Sequence, residues 1–192
     1  MSHTYRISRK ETIRNTVKVN EEWKSLIETL PILPQVEMAK LLSEELAKEN
    51  DWSKSGNVHQ KQDGNWTIEY DEESMLLSIE YDDEKTFERE ETIEISGYNP
   101  GYSDEPLITS AIERAKEKFI QESTEAKDYE KAAKNKLEQE IEPKLDEIEG
   151  LFQDLVEVVQ IEALKKKARN IGEIESIAED KENGEVKIIV KI

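Results

Sequence analysis

His3 and His59 are the only imidazoles in a chain of 192 residues. A zinc site needs three or four nitrogen, sulfur or oxygen ligands in a workable arrangement. These two lie far apart on predicted strands without paired spacing, so both read as surface or structural side chains. There is no cysteine, which excludes disulfides, thiolate metal sites and cysteine nucleophiles. Carboxylates are abundant and clustered: Asp71-Glu72-Glu73, Asp82-Asp83-Glu84, and Glu88, Glu90 and Glu91. Hard cations take such clusters, yet none has the glycine-containing spacing of a calcium loop. Solvated turns and strand edges, where charge discourages edge-to-edge pairing, account for them more simply. No glycine-rich phosphate loop, no nucleophile elbow and no serine or threonine in a recognisable motif with either histidine is present. The residues thus predict no catalytic group, no cofactor and no metal, and the chain reads as something other than an enzyme.

Charge is the stronger signal. The net charge is −18, from 45 acidic and 27 basic residues. Residues 69–94 hold twelve acids against Lys85 and Arg89, so over half of the excess sits in one stretch. A field of this sign repels phosphates and anionic headgroups, which argues against nucleic acid and membrane as partners. A block of this kind, presented through Asp71, Glu72, Glu73, Asp82, Asp83 and Glu84, could instead imitate DNA phosphates and fill the groove of a DNA-binding protein or nuclease. An ordinary solubilising face explains it equally. Lys165-Lys166-Lys167 with Arg169 is the dense basic run outside the N-terminus, and cations at a helix C-terminus complement its dipole.

The elements that would position these residues follow from periodicity. Apolar content is 35 % and charged content 38 %, against roughly 45–50 % and 25 % in ordinary domains. That balance favours long solvated surfaces over one thick core. Tyr5/Ile7 and Val17/Val19 predict two short strands. Asn20 then caps a short helix with Trp23, Leu26, Ile27 and Leu30 on one face, ended by Pro31 and Pro34. A second helix is expected from about Pro34 to Asn50, with Val36, Ala39, Leu42 and Leu46 in one stripe.

From 57 to 97 the period changes to two. Asp63-Gly64 signals a type I′ hairpin before Trp66–Tyr70. Met75, Leu77, Ile79 and Tyr81 form the next strand, a turn falls at Asp82-Asp83-Glu84, and a last strand carries Phe87, Ile93 and Ile95. After the loop Gly97–Gly101, a long helix opens at Ser103 or Asp104 with a heptad-like seam, interrupted by Pro143. The second helical segment folds back as a hairpin or continues as a kinked rod. Gly172 ends it, and Asn183-Gly184 turns a terminal hairpin that joins the first strands or extends the meander.

No segment approaches the ~18 apolar residues that span a bilayer, and no signal peptide is visible. The expected location is cytoplasmic. The expected class is α+β: an antiparallel sheet with packed helices, a long helical pair or hairpin, and a C-terminal β-hairpin. Two domains are expected, 1–104 with 172–192 as the sheet domain and 105–171 as a helical insertion.

The ends of the chain carry a resemblance. Met1-Ser2-His3 followed by a strand, and a closing helix with Ala163, Lys167 and Ala168, then Gly172, Glu173, Glu175, the Asn183-Gly184 turn and Val186–Ile192, resemble a family of plastid and cyanobacterial hypothetical reading-frame proteins also found in other bacteria. The Asp63-Gly64 turn with Trp66–Tyr70 is similar to that family's central hairpin. The family has no assigned chemistry. What the resemblance implies is company, since its members are often encoded beside an AAA+ ATPase in multi-component, defence-related bacterial systems. On this basis the chain is expected to be a non-enzymatic adaptor that binds another protein, an AAA+ ATPase. The helical pair would be the docking element, through Phe119, Tyr129, Leu151 and Phe152; the alternative for these residues is burial of one helix against the other, within the chain or between two copies in a homo-oligomer. The DNA-mimic inhibitor is the alternative.

Overall fold

The computed structural model describes residues 5–97, 105–180 and 185–191. His3, the Ser103/Asp104 helix start, most of the Gly97–Gly101 loop and the Asn183-Gly184 turn lie outside the described residues. The fold is α+β. Five strands form an antiparallel meander with an added long strand, in the order β1-β5-β4-β3-β2, and the last two strands make a separate hairpin. The chain packs as two compact units, residues 1–20 with 83–138 and residues 21–82 with 139–192.

Strand β1 (Tyr5–Leu26) is one element, where the sequence suggested two strands and a helix after Asn20. Its alternation explains this. Ile13 and Val19 are buried with Asn15 and Val17 half-buried between them, so period two continues to Trp23. The Trp23 ring then lies 5.8 Å from that of Trp66, an aromatic contact that outweighs the helical spacing of Trp23, Leu26 and Ile27. Strand β5 (Leu76–Gly97) is likewise continuous, with no turn at Asp82-Asp83-Glu84. Leu77, Ile79, Tyr81, Ile93 and Ile95 are buried, all at odd positions. One unbroken parity means one unbroken strand, because a turn there would have reset the pleat.

Between them, α1 (Gln35–Leu46) begins just after Pro34 and is followed by β2 (Ser53–Ser55), β3 (Val58–Asp63) and β4 (Trp66–Asp71). The β3–β4 register pairs Asp63 with Trp66, so the loop is Gly64–Asn65, one residue later than the Asp63-Gly64 signal implied. Gly64 has φ +59° while Asn65 is not among the positive-φ residues, unlike a type I′ turn. At the β4–β5 turn, Asp71 Oδ1 accepts from the N–H groups of Glu73 and Ser74 at 2.8 and 3.0 Å.

In the unit of residues 21–82 and 139–192, Trp66, Ile68 and Tyr70 face Tyr81, Ile79 and Leu77 across the ladder, and all six are buried. Full burial of such a side chain contributes about 1.5–3 kcal/mol.

Helix α2 (Glu105–Glu122) and helix α3 (Thr124–Arg169) are separated by Ser123 alone. The interruption expected at Pro143 falls there instead: Ser123 Oγ accepts from Ala126 N–H at 3.2 Å and caps α3. Helix α3 runs through Pro143. Its stripe of buried Ala133 and Leu137, half-buried Ile141, and buried Lys144, Ile148, Phe152, Leu155, Val159 and Ala163 keeps steps of three and four across the proline. Packing in one phase on both sides offsets the lost hydrogen bond, so the long helix does not fold back at residue 143. Lys144, next to the proline, is buried yet charged. Burial disfavours its ammonium, but hydrogen bonds to Asp63 at 2.6 Å and Glu147 at 2.9 Å prevail and hold its pKa above the usual value.

The other unit draws its core from Ile13, Val19, Ile93, Ile95, Phe119, Ala126, Ala133 and Leu137. Strands β6 (Glu173–Asp180) and β7 (Glu185–Lys191) pair only with each other among the described residues, neither joining β1 nor extending the meander. An exposed Ile177 and Ile189 leave that hairpin without the continuous dry face that joining a larger sheet requires.

Candidate functional site

Two arrangements stand out, both within the unit of residues 21–82 and 139–192. The first is a buried polar cluster. Helix α1 places Ser43 on the stripe Ala39-Leu42-Ser43-Leu46, and β3 places His59 opposite Tyr70 of β4. Ser43 is 3 % and His59 1 % exposed. Ser43 Oγ lies 2.7 Å from His59 Nε2. Lys54 Nζ of β2 donates to Ser43 Oγ at 2.8 Å and to Glu72 at 2.7 Å. Burial, then the Lys54 charge, lower the His59 pKa, and Glu72 opposes them weakly. A neutral imidazole accepting the Ser43 hydroxyl proton is consistent with that shift. Glu72 is itself held below its usual value, first by the hydrogen bond from Lys54.

A serine within hydrogen-bond reach of a histidine is the beginning of nucleophilic chemistry. Here both partners are sealed from solvent and Lys54 occupies the serine oxygen, so the bonds join α1, β2 and β3 rather than meet a substrate. The sequence offered one sign of the cluster: a lone serine inside an apolar helical stripe.

The second arrangement is a pair of grooves on either side of the segment after β1. Pro31 and Pro34 prevent a helix there, and Ile27 N–H is anchored to the Met75 carbonyl at 2.9 Å. Large apolar groups on and beside this segment are left in solvent: Leu26 at the end of β1 is 57 %, Leu30 58 % and Val36 at the start of α1 80 % exposed. Large apolar side chains left in solvent along one short stretch of chain, beside grooves, make it a candidate interaction surface. One groove, of about 300 Å³, runs between this segment and Met38 and Met75. The other, of about 360 Å³, lies between Ser25–Glu28 and α3, over Leu77, Phe152 and Val156.

The residues singled out for docking fall in both units, Phe119 and Tyr129 in one and Leu151 and Phe152 in the other. Phe119 is buried at 7 % exposure. Tyr129 is half-buried, its ring 5.8 Å from that of Phe87 and its hydroxyl donating to Asp83, with the Lys85 ammonium 5.4 Å above it. Leu151 is half-buried. Phe152 is 2 % exposed, edge-on to Trp52 at 6.1 Å and tilted against Tyr70 at 5.5 Å, and it still contributes to the wall of the second groove. The acids of the alternative surface are mostly engaged: Asp71 in its turn, Glu72 with Lys54, Glu73 with Asn57 at 3.4 Å, and Asp83 with Tyr129. Asp82 is half-buried at the backbone bond from its own N–H to the Asn65 carbonyl, and Glu84 is exposed. Among the described residues, no group of three or more histidine or acidic side chains is placed to hold a metal ion.

A family model described as FtsH ternary system domain X5 matches residues 1–192. The chain belongs to that family. No curated protein and no solved structure matches it. The family ties the chain to an AAA+ protease system, which agrees with the AAA+ association implied by the two ends of the sequence. The plastid and cyanobacterial connection has no counterpart in the match. Among the described residues, no helix is long and apolar enough to cross a membrane.

Proposed function

We propose that the chain is a non-enzymatic accessory subunit, an adaptor, that works in the cytoplasm by binding a protein component of an FtsH system, with the AAA+ protease FtsH as its partner. The observation that carries this reading is the match of the whole chain to a domain of an FtsH ternary system. The exposed apolar segment between β1 and α1, with a groove on each side, supplies the kind of surface such a role needs. The phosphate-mimic alternative requires freely presented carboxylates, and four of the six, Asp71, Glu72, Glu73 and Asp83, are already held by hydrogen bonds or an ion pair within this chain, so the adaptor reading is preferred.

The test is co-purification of the tagged chain with FtsH expressed from the same genome, resolved by size-exclusion chromatography. Co-elution that persists at moderate salt supports the adaptor. Elution of the two as separate species, with and without ATP and with the other system components present, overturns it.

A further inference from the structure

The groove between the end of β1 and helix α3 has chemistry that selects its occupant. Its floor is apolar, from Leu77, Phe152 and Val156, and its lip is the exposed Leu26. Its two walls each carry a carboxylate, Glu28 on the segment after β1 and Glu149 on α3. No cationic side chain lines it, and among the described residues no ion pair engages Glu28 or Glu149. Two other grooves of this unit differ. The one over Met38 and Met75 has Glu28 as its only acid, and in the one beside Asn57 both carboxylates have partners, Glu72 with Lys54 and Glu73 with Asn57 at 3.4 Å.

We propose that this groove seats a cationic amphipathic segment of a partner protein, in which a large apolar side chain enters between Glu28 and Glu149 and lysine or arginine residues flank it on both sides. This rests on the reading of the chain as a protein-binding subunit and names the chemistry of what it binds. The argument is charge complementarity about an apolar anchor. A neutral apolar occupant would cover two carboxylates and leave them without partners, which costs their hydration. An acidic occupant is repelled. A cationic one replaces lost water with ion pairs at the rim, while the apolar floor supplies the attraction at the centre. The net charge of −18 adds long-range steering toward basic partners. A second copy of this chain brings the same excess of negative charge and is a poorer occupant.

The experiment is an NMR titration of the full ¹⁵N-labelled chain with a short peptide carrying a phenylalanine–leucine pair between two lysine pairs. Two control peptides replace the apolar pair by serines or the lysines by glutamates. The expected result is amide shifts concentrated at Leu26, Ile27, Glu149, Gln153 and Val156, absent with either control peptide. The charge-reversed variant Glu28→Lys/Glu149→Lys should bind about tenfold more weakly, whereas Glu138→Lys/Glu142→Lys, on the same helix outside the groove, should stay within about twofold. All four positions are exposed, so both variants are expected to keep the dispersed spectrum of the folded chain.

Shifts spread over the whole acidic surface, equal binding of a control peptide, no binding, or unchanged affinity in Glu28→Lys/Glu149→Lys would each overturn the proposal. So would concentration-dependent shifts of the groove amides without peptide, which would make a second copy the occupant. FtsH co-purification with the wild-type chain is scored separately: the subunit reading stands or falls there, and the groove stands or falls in the titration.

Discussion

The most consequential side chain in this protein is one that its surroundings keep neutral. His59 is surrounded by Ser43 from α1, Lys54 from β2, Tyr70 from β4 and Glu72 at the turn after it. Protonation would place a second cation beside Lys54 in a buried setting, so the folded chain binds that proton more weakly than the unfolded chain does. A lowered folded pKa makes unfolding free energy fall as pH drops from about 6.5, the ordinary value, through the folded one. Chemical denaturation at pH 7.5, 6.5 and 5.5 should show this decline, and His59→Gln should flatten it. A decline that survives the substitution would place its origin elsewhere. Asp63 and Glu72 act lower on the scale. Both are held below the usual carboxylate range, by Lys144 and Lys54 respectively, so their contribution is present above that range and is lost as pH falls through their folded values. The two regions of the titration are therefore separable.

At the scale of elements, the ends of the long helix are set by single residues. Ser123 starts α3 by capping it, and Gly172 lets the chain leave α3 into β6. A Cβ at Gly172 would meet the backbone carbonyl oxygen of Lys191 and come within 2.9 Å of Val190 Cγ1. A backbone oxygen cannot swing aside like a side chain. Gly172→Ala is expected to destabilise the β6–β7 hairpin by about 1–3 kcal/mol, the usual cost of overpacking. Gly150, within α3, has open space where its Cβ would be, and Gly150→Ala should stabilise by about 0.5–1 kcal/mol through helix propensity. Urea midpoints of the two variants should therefore move in opposite directions, and a shift of both in the same direction would refute the packing argument. Pro143 makes the complementary point: a residue that commonly ends helices is carried inside one because the buried stripe keeps its phase across it.

Across the whole molecule, the excess of negative charge opposes compaction. Few of the surface ion pairs are well buried, and exposed pairs contribute little each. Self-repulsion at a net charge of −18 is a long-range effect that salt screens, with a Debye length of about 10 Å at 0.1 M. Melting temperature is thus expected to rise between low ionic strength and about 0.5 M sodium chloride. A fall over the same range would mean that the ion pairs, among them Lys54–Glu72 and Lys166–Glu37, outweigh the repulsion. The same field bears on partners, since it favours basic ones and makes their association sensitive to salt.

The sequence by itself determined the class of fold, the meander from β3 to β5, the two terminal strands and the acidity of the surface. These are local properties: period-two alternation, glycine and asparagine at tight turns, and the count of charges. Where β1 and β5 end, whether α3 survives Pro143, and what the terminal hairpin pairs with were decided by tertiary structure, because each depends on which distant residue supplies a packing partner. Trp23 is the clearest case, having helical spacing along the chain and the ring of Trp66 beside it in space. That Phe119 and Phe152 are buried was not legible either, because an aromatic side chain on a helical seam has the same signature whether it is exposed to a partner or packed within its own chain. The groove beside Phe152 was invisible for the same reason: Glu28, Leu77 and Glu149 are brought together only by folding, and no local pattern records that they meet.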